Sequence, residues 1–209
     1  MPDSDTSQKT HASLIDGLIL RDPRSWSQMV DLYGPLIAFW CQRCGLDSHS
    51  TSDMVQEVFL AVSQAIGRYS KIEGKGGFRS WLWMVTRNKI IDRHRSQELE
   101  TKARGGSSAL LQIAKVPDPS SLIPSDEPTN EIAMSELMQR AILQVEVEFE
   151  ARSWRAFWRT AVDGMPTDVV ANELGISPAG VRQARSRILR RLRLQLGDLN
   201  AGADALESN

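Results

Sequence analysis

Residues 167–193 carry the local pattern that most restricts the fold of this 209-residue chain. Thr167 can cap a short stretch with helical periodicity, and Gly175 stands at its end, where helices commonly finish on a left-handed residue. Ser177 can then cap a second helix, and Pro178 suits the first turn of that helix because no amide donor is needed there. Two helices joined by so short a glycine turn predict a helix-turn-helix.

The second helix of this motif is amphipathic and strongly cationic. Residues 177–193 hold six arginines and no acid. The predicted inner face consists of Val181, Ala184, Ile188 and Leu192. The N-terminal turns of such a recognition helix enter the DNA major groove, so four side chains are placed to reach base edges: Ala179, Arg182, Gln183 and Ser186. Phosphate contacts are predicted for Arg185, Arg187, Arg190 and Arg191, with Ser177 in the same DNA-binding set. The alternative is a bundle helix with a solvated cationic face.

Periodicity along the rest of the chain predicts an all-α protein. Helical spacing extends over residues 13–97 and 131–197, and no alternation typical of strands occurs. Residues 98–130 contain one glycine pair and four prolines, which predict a flexible linker and no packed element. Residues 1–12 and 198–209 are expected to be disordered ends. We therefore predict two small helical domains joined by a flexible linker.

The segment DMVQEVFLAVSQAI, residues 53–66, has an informative polar side. As a helix it places a core stripe on one side: Val55, Val58, Phe59, Val62 and Ile66. The opposite side carries Asp53, Glu57, Leu60 and Gln64. An exposed leucine among acids is compatible with a protein interface, but periodicity alone favours a plain solvated face with one stray leucine.

The segment FRSWLWMVTRNKIIDRHR, residues 78–95, combines aromatic rings with five Arg/Lys residues and one acid. Single-stranded nucleic acid is bound by such a combination, because rings stack on unpaired bases and cations hold phosphates, at roughly 1–3 kcal/mol per stacked base. The glycine-rich residues 73–77 before it are candidates for shaping a base pocket. The alternative is a pair of core tryptophans with a solvated basic rim.

Cys41 and Cys44 form one C-x-x-C without the further Cys or His spacing of a zinc site, so two small apolar residues on a buried helix are favoured over a redox pair. No constellation of a nucleophile with a base or of clustered carboxylates is evident. The sequence predicts no catalytic residue, no cofactor and no metal. The formal net charge of −1, with cations concentrated on one helix, favours conditional DNA binding.

The two halves together resemble the extracytoplasmic-function (ECF) class of sigma factors. DMVQEVFLAV is similar to the segment of that family that docks on RNA polymerase, which implies polymerase contact for Asp53, Gln56, Glu57 and Leu60. FRSWLWMVTRNKIIDRHR is similar to the segment that reads and opens the −10 promoter element. Residues 164–193 look like the region that reads the −35 element, and SWRAFWRTAVDG before them looks like the supporting helices of that region. The set predicted to contact −10 DNA is Phe78, Arg79, Trp83, Arg87, Asn88, Lys89 and Arg95.

The resemblance implies bacterial core RNA polymerase and promoter DNA as partners, duplex at −35 and single-stranded at −10. A cytoplasmic protein that is monomeric when free and does not contact membranes is expected, since residues 1–12 lack an apolar signal core. An anti-sigma factor is a further partner that the sequence leaves open. Two rivals are a helix-turn-helix regulator that binds duplex DNA without polymerase and an enzyme acting on nucleic acid.

Overall fold

A computed structural model describes residues 13–69, 77–104 and 123–197. Within these ranges the secondary structure is helical and contains no strand, which confirms the predicted all-α class. The helices are α1 (Leu14–Ile19), α2 (Pro23–Arg43), α3 (Ser48–Ala65), α4 (Phe78–Arg104), α5 (Glu131–Glu146), α6 (Ala151–Ala161), α7 (Thr167–Leu174) and α8 (Pro178–Gln195), with a 3-10 turn at Ile66–Arg68.

The described residues fall into two compact units. The bundle unit comprises residues 27–140, and the helix-turn-helix unit comprises residues 13–26 and 141–197. These divisions differ from the predicted boundaries, since α4 continues to Arg104 and residues 131–140 group with the bundle unit. The assignment of promoter-binding domains to residues 13–97 and 131–197 stays a prediction.

Aromatic and aliphatic side chains of α2, α3 and α4 build the core of the bundle unit. Asp47 begins α3 by accepting a hydrogen bond from the Ser50 amide at 2.8 Å, which satisfies one of the free donors of the first turn. The predicted stripe of α3 faces inward, with three residues buried and two half-buried, as the helical period requires. The largest fully buried side chains of the unit include Tyr33, Trp40, Met54, Phe78, Leu82 and Ile90.

The helix-turn-helix unit is held by small residues that let α6, α7 and α8 approach closely. Its core cluster is Ala156, Val170, Ala171, Val181 and Ala184. The predicted inner face of the recognition helix α8 is confirmed, because its four apolar residues are all buried. Leu174 of α7, also predicted to face inward, is partly buried against this cluster.

The turn chemistry of the motif is confirmed at Gly175, Ser177 and Pro178. Gly175 adopts φ 63°, in the left-handed region. The Ser177 hydroxyl accepts a hydrogen bond from the Gly180 amide at 3.1 Å, and Pro178 is the first residue of α8. The predicted cap of α7 is wrong: Pro166 occupies the N-cap position and Thr167 is already helical. The extended Pro166 starts α7 without any side-chain hydrogen bond.

Two glycine substitutions in this motif should change stability in opposite directions. Gly175→Ala is expected to lower the free energy of unfolding by about 1–2 kcal/mol, because a Cβ at φ 63° is strained although no atom lies within 4 Å of it. Gly180→Ala is expected to raise it by about 0.5–1 kcal/mol, since the position is helical and the new Cβ makes only an ordinary 3.4 Å contact. Urea denaturation followed by circular dichroism measures both, and equal signs would contradict this account.

Candidate polymerase and nucleic-acid interfaces

The outer face of α3 presents an accessible row of acids, an amide and a leucine. Asp53, Gln56 and Glu57 are exposed, and Leu60 keeps 61% of its surface in solvent. Asp53 lies 3.8 Å from the His49 imidazole, and the Glu57 carboxylate lies 4.0 Å from the Lys89 ammonium. Ion pairs this exposed contribute little to stability, so they leave the row available to a partner. All four residues predicted to contact polymerase therefore share one open surface.

Helix α4 presents a different picture, because two of its predicted base-stacking rings are inside the bundle unit. Phe78 is fully buried and packs edge-on against Tyr33 and Tyr69, with ring centroids 5.4 and 5.6 Å apart. Trp83 is 3% exposed and packs edge-on against Trp40 at 5.5 Å. Stacking on a base requires an accessible ring face. The prediction that Phe78 and Trp83 capture bases is therefore wrong for this conformation, in which they are core residues.

The residues that cover this part of α4 come from the predicted linker. Residues 123–130, termed here the cover segment, run over α2 and α4 and belong to the bundle unit. Ile123 is 5% exposed, and the Trp83 indole N–H donates to the Ser125 carbonyl at 3.1 Å. The Trp40 indole N–H donates to the Thr129 hydroxyl at 2.9 Å. For residues 123–130 the prediction of a linker without packed structure is thus wrong, while residues 105–122 lie outside the described part.

The cover segment also engages two of the three arginines predicted to hold −10 DNA, Arg79 and Arg87. The Arg79 guanidinium Nε lies 2.7 Å from a carboxylate oxygen of Glu127, and the two side chains keep only 20% and 13% of their surfaces exposed. Arg87 donates from Nε to the Pro124 carbonyl at 2.9 Å and from Nη2 to the Ile123 carbonyl at 3.4 Å. Two charge-assisted anchors therefore add to the two indole hydrogen bonds.

The remaining residues predicted for −10 DNA stay accessible on α4. Asn88 and Arg95 are exposed, and Lys89 keeps 36% of its side-chain surface in solvent. A depression of about 450 Å³ is lined by Arg87, Asn88, Ile91, Asp92 and Arg95. A cationic surface that can accept a phosphate backbone thus lies next to the cover segment. Of the glycine-rich residues predicted to form a base pocket, 73–76 lie outside the described residues.

The recognition helix α8 presents its predicted DNA-contacting side chains outward with one exception. Ala179, Arg182, Gln183, Ser186, Arg187 and Arg190 are exposed, Arg185 is half-buried, and Ser177 is exposed with its hydroxyl engaged in the cap. Side chains four residues apart are neighbours on a helix, so Arg182, Ser186 and Arg190 form one row.

The exception is Arg191, which was predicted to contact phosphate and is 7% exposed. Its Nε and Nη2 donate to the two carboxylate oxygens of Glu148 at 2.6 and 2.7 Å. Next to this pair, the Gln195 amide donates to Gln144 at 2.7 Å. The prediction for Arg191 is wrong, because a bidentate buried pair leaves this guanidinium no access to DNA.

Comparisons with known proteins are consistent with this geometry. Residues 29–100 match the family model described as "Sigma-70 region 2". The chain is 28% identical over 195 residues to "Probable RNA polymerase sigma factor RfaY" of Xanthomonas campestris pv. campestris, covering 89% of this chain and 46% of that relative. It is 28% identical over 156 residues to "ECF RNA polymerase sigma factor SigL" of Mycobacterium tuberculosis, covering 73% of this chain and 78% of that relative. The chain thus spans about half the length of the first of these relatives.

The chain is thus similar to RNA polymerase sigma factors, including one of the ECF class. The match to region 2 begins in α2 and ends in α4, so it includes the exposed row of α3 and the cationic surface of α4. Among solved structures, the "Structure of CnrH in complex with the cytosolic domain of CnrY" matches with 20% identity and a TM-score of 0.34, covering 86% of this chain and 92% of that chain.

The helix-turn-helix unit also contains an aromatic depression, for which the sequence predicted no role. Phe149, Trp154, Arg155 and Trp158 are among the residues that line its volume of about 450 Å³, and Trp158 is 37% exposed. An exposed tryptophan beside an arginine is typical of protein-binding surfaces. The recurrence of Trp154, Phe157 and Trp158 on one short helix was the signal available in the sequence, and it was interpreted only as structural support.

The cysteine pair of the chain is poorly suited to redox or metal chemistry. Cys41 is fully buried, and burial raises the pKa of its thiol to about 12. Burial also raises the pKa of the half-buried Cys44 thiol. The thiolate is the form that attacks disulfides and binds zinc, so it is scarce at neutral pH here. Among the described residues no group of three or more His, Cys, Asp or Glu side chains is arranged to hold a metal, and no helix there is long and apolar enough to span a bilayer.

The buried Arg191–Glu148 pair should matter for stability rather than for contact with DNA. Glu148→Gln is expected to lower the free energy of unfolding by about 3 kcal/mol, because it leaves a buried guanidinium without its countercharge. Glu146→Gln removes the same charge from an exposed position nearby and should change stability by less than about 0.5 kcal/mol. Urea titrations of both variants measure the difference, and similar midpoints would show that the pair is unimportant.

Proposed function

We propose that this chain is a sigma factor that binds core RNA polymerase through the outer face of α3, and that it directs initiation by holding the −10 element on the bundle unit and the −35 element on α8. The proposal rests on the observation that two exposed surfaces of the chain carry opposite charges. One is an acidic row with a protruding leucine on α3. The other is an arginine row on α8.

Polymerase docking by α3 rests on the exposure of the row and on its chemistry. A leucine with 61% of its surface in solvent gains about 25 cal/mol per Å² of apolar area that a partner removes from water. The flanking carboxylates can pair with cations on that partner and select its orientation, since complementary charge contributes to specificity and association rate. Loss of the weak 4.0 Å contact between Glu57 and Lys89 costs little.

Binding of the −10 element is proposed for the accessible part of α4. Asn88 and Arg95 line a depression of about 450 Å³, and Lys89 is the neighbour of Asn88 on the same helix. Separating bases costs a few kcal/mol for each one unstacked, so several modest contacts must act together. With Phe78 and Trp83 buried in this conformation, phosphate and amide contacts carry more of this binding than ring stacking does.

Reading of the −35 element is proposed for the first turns of α8. Arg182 and Gln183 are exposed there, and their side chains offer the paired donors or the donor and acceptor that guanine and adenine edges accept in the major groove. Arg187 and Arg190 lie further along α8, where phosphate contacts fix the register of the helix on the duplex. The small side chains at Ala179 and Gly180 allow the tip of the helix to approach closely.

Run-off transcription with purified chain and core polymerase is the direct test. Promoters would first be mapped by sequencing the 5′ ends of transcripts made from genomic DNA by the reconstituted holoenzyme. Specific starts that depend on added chain are expected. Tight sequence-specific binding to duplex DNA without polymerase, together with random starts, would favour a helix-turn-helix regulator instead.

Glu57→Arg is expected to weaken binding to core polymerase by about tenfold or more, because like charges are placed where an acid complements the partner. Glu136→Arg makes the same charge reversal at an exposed position of α5 and serves as the matched control. Affinities are measured by fluorescence anisotropy of labelled chain titrated with core enzyme. Equal losses of affinity for the two variants would mean that only the change in net charge matters, and that α3 is not part of the interface.

Arg182→Ala is expected to cost about 1–3 kcal/mol at a single −35 base pair and to relax the preference there. Arg187→Ala, a substitution of the same residue type, should weaken binding about uniformly over all −35 sequences, since phosphates carry no sequence information. A library of −35 variants transcribed by each holoenzyme measures both. If Arg182→Ala instead weakened binding uniformly over all −35 sequences, Arg182 would be a contact to the DNA phosphates and not to a base.

A further inference from the structure

We propose that the cover segment is a built-in competitor of single-stranded DNA, and that it must leave α2 and α4 before this sigma factor can hold the −10 element with full affinity. The proposal rests on the proposed function of the bundle unit. It concerns a part of the chain that the sequence marks only as a linker.

The cover segment uses the same donors that a nucleic-acid strand would use. The Glu127 carboxylate pairs with the Arg79 guanidinium at 2.7 Å, as a phosphate would. The carbonyls of Ile123 and Pro124 accept hydrogen bonds from Arg87, at 3.4 and 2.9 Å. Arginine donors bind carbonyl, carboxylate and phosphate oxygens by the same charge-assisted geometry, so one occupant excludes the other.

The attachment has the features of a reversible contact rather than of a core element. Its single deeply buried side chain is Ile123, whereas Pro124, Ser125 and Asp126 are exposed. Four polar anchors hold eight residues that contain no regular secondary structure. Each such hydrogen bond contributes about 1 kcal/mol net, and ordering each residue costs at least as much, so the polar anchors alone do not fix the segment firmly.

Competition of this kind predicts a specific gain of function. A ligand that binds only the open state has an apparent affinity reduced by the fraction of molecules that are open. Glu127→Gln weakens the Arg79 anchor and raises that fraction. Asp126→Asn removes one negative charge from the neighbouring exposed position of the same segment and is the matched control.

The test is the binding of a fluorescein-labelled 12-nucleotide single strand, carrying the non-template −10 sequence mapped with the holoenzyme, to the full-length chain. Glu127→Gln should tighten binding about five- to tenfold, as loss of one charge-assisted anchor implies, whereas Asp126→Asn should change it less than about twofold.

Several results would overturn the proposal. Equal effects of Glu127→Gln and Asp126→Asn on the free chain would mean that only the change in net charge matters. No binding of the single strand by either free variant would mean that the cover segment does not exclude DNA. If Glu127→Gln lowers the melting temperature, Thr129→Val is used instead, since it removes the acceptor of the Trp40 indole. Failure of that variant to tighten binding would make the segment a fixed part of the fold.

A second measurement separates this proposal from the proposed function. In protein labelled with ¹⁵N at the tryptophan indoles, the signals of Trp40 and Trp83 should shift when the single strand binds, because both indoles lose their acceptors in the cover segment. The Trp154 and Trp158 signals should stay in place. Unchanged Trp40 and Trp83 signals with the strand bound would overturn the competition while leaving −10 binding intact. Random starts in run-off transcription would instead overturn the proposed function.

Discussion

Indole and guanidinium N–H groups on the inner side of α2 and α4 must find acceptors, and this requirement organises the bundle unit. The Trp40 and Trp83 indoles donate hydrogen bonds at partly buried positions, and Arg87 donates from a more exposed one. An unsatisfied buried donor costs about 1–3 kcal/mol. The carbonyls of Ile123, Pro124 and Ser125 supply acceptors from a segment almost without apolar side chains, which explains how a proline-rich stretch acquires a fixed path.

The same requirement explains why the helix-turn-helix could be predicted from the sequence in detail. The signals for Gly175, Ser177 and Pro178 are local, because capping and left-handed turns depend on residues within four positions of one another. The inner face of α8 likewise follows from the helical period alone. The one local error, at Thr167, arose because the preceding Pro166 can itself begin a helix from an extended conformation.

Burial of Trp83, which the sequence left open as an alternative, and burial of Arg191 are decided by partners far along the chain. Trp83 is covered through Ser125, 42 residues away, and Arg191 is neutralised by Glu148, 43 residues away. On a helical projection Arg190 lies opposite the inner stripe and Arg191 lies beside it, but only the position of Glu148 shows that the Arg191 guanidinium is paired within the protein. The burial of Phe78 was also missed, because the family motif that contains it does not show whether the ring packs in the core or stacks on a base. The row on α3 could be predicted, since its exposure follows from the burial of the opposite side of one helix.

The Arg191–Glu148 pair also changes how many cations α8 can offer to a polyanion. Each arginine that neutralises a phosphate displaces condensed counterions, and affinity falls with rising salt by a slope of about 0.9 for every phosphate contacted. Since Arg191 is already neutralised within the protein, a tally of six arginines overstates the ionic-strength dependence of this helix by at least one contact. The recognition helix is therefore less of a general polyanion binder than its composition suggests, and more of its affinity must come from fit to a particular groove.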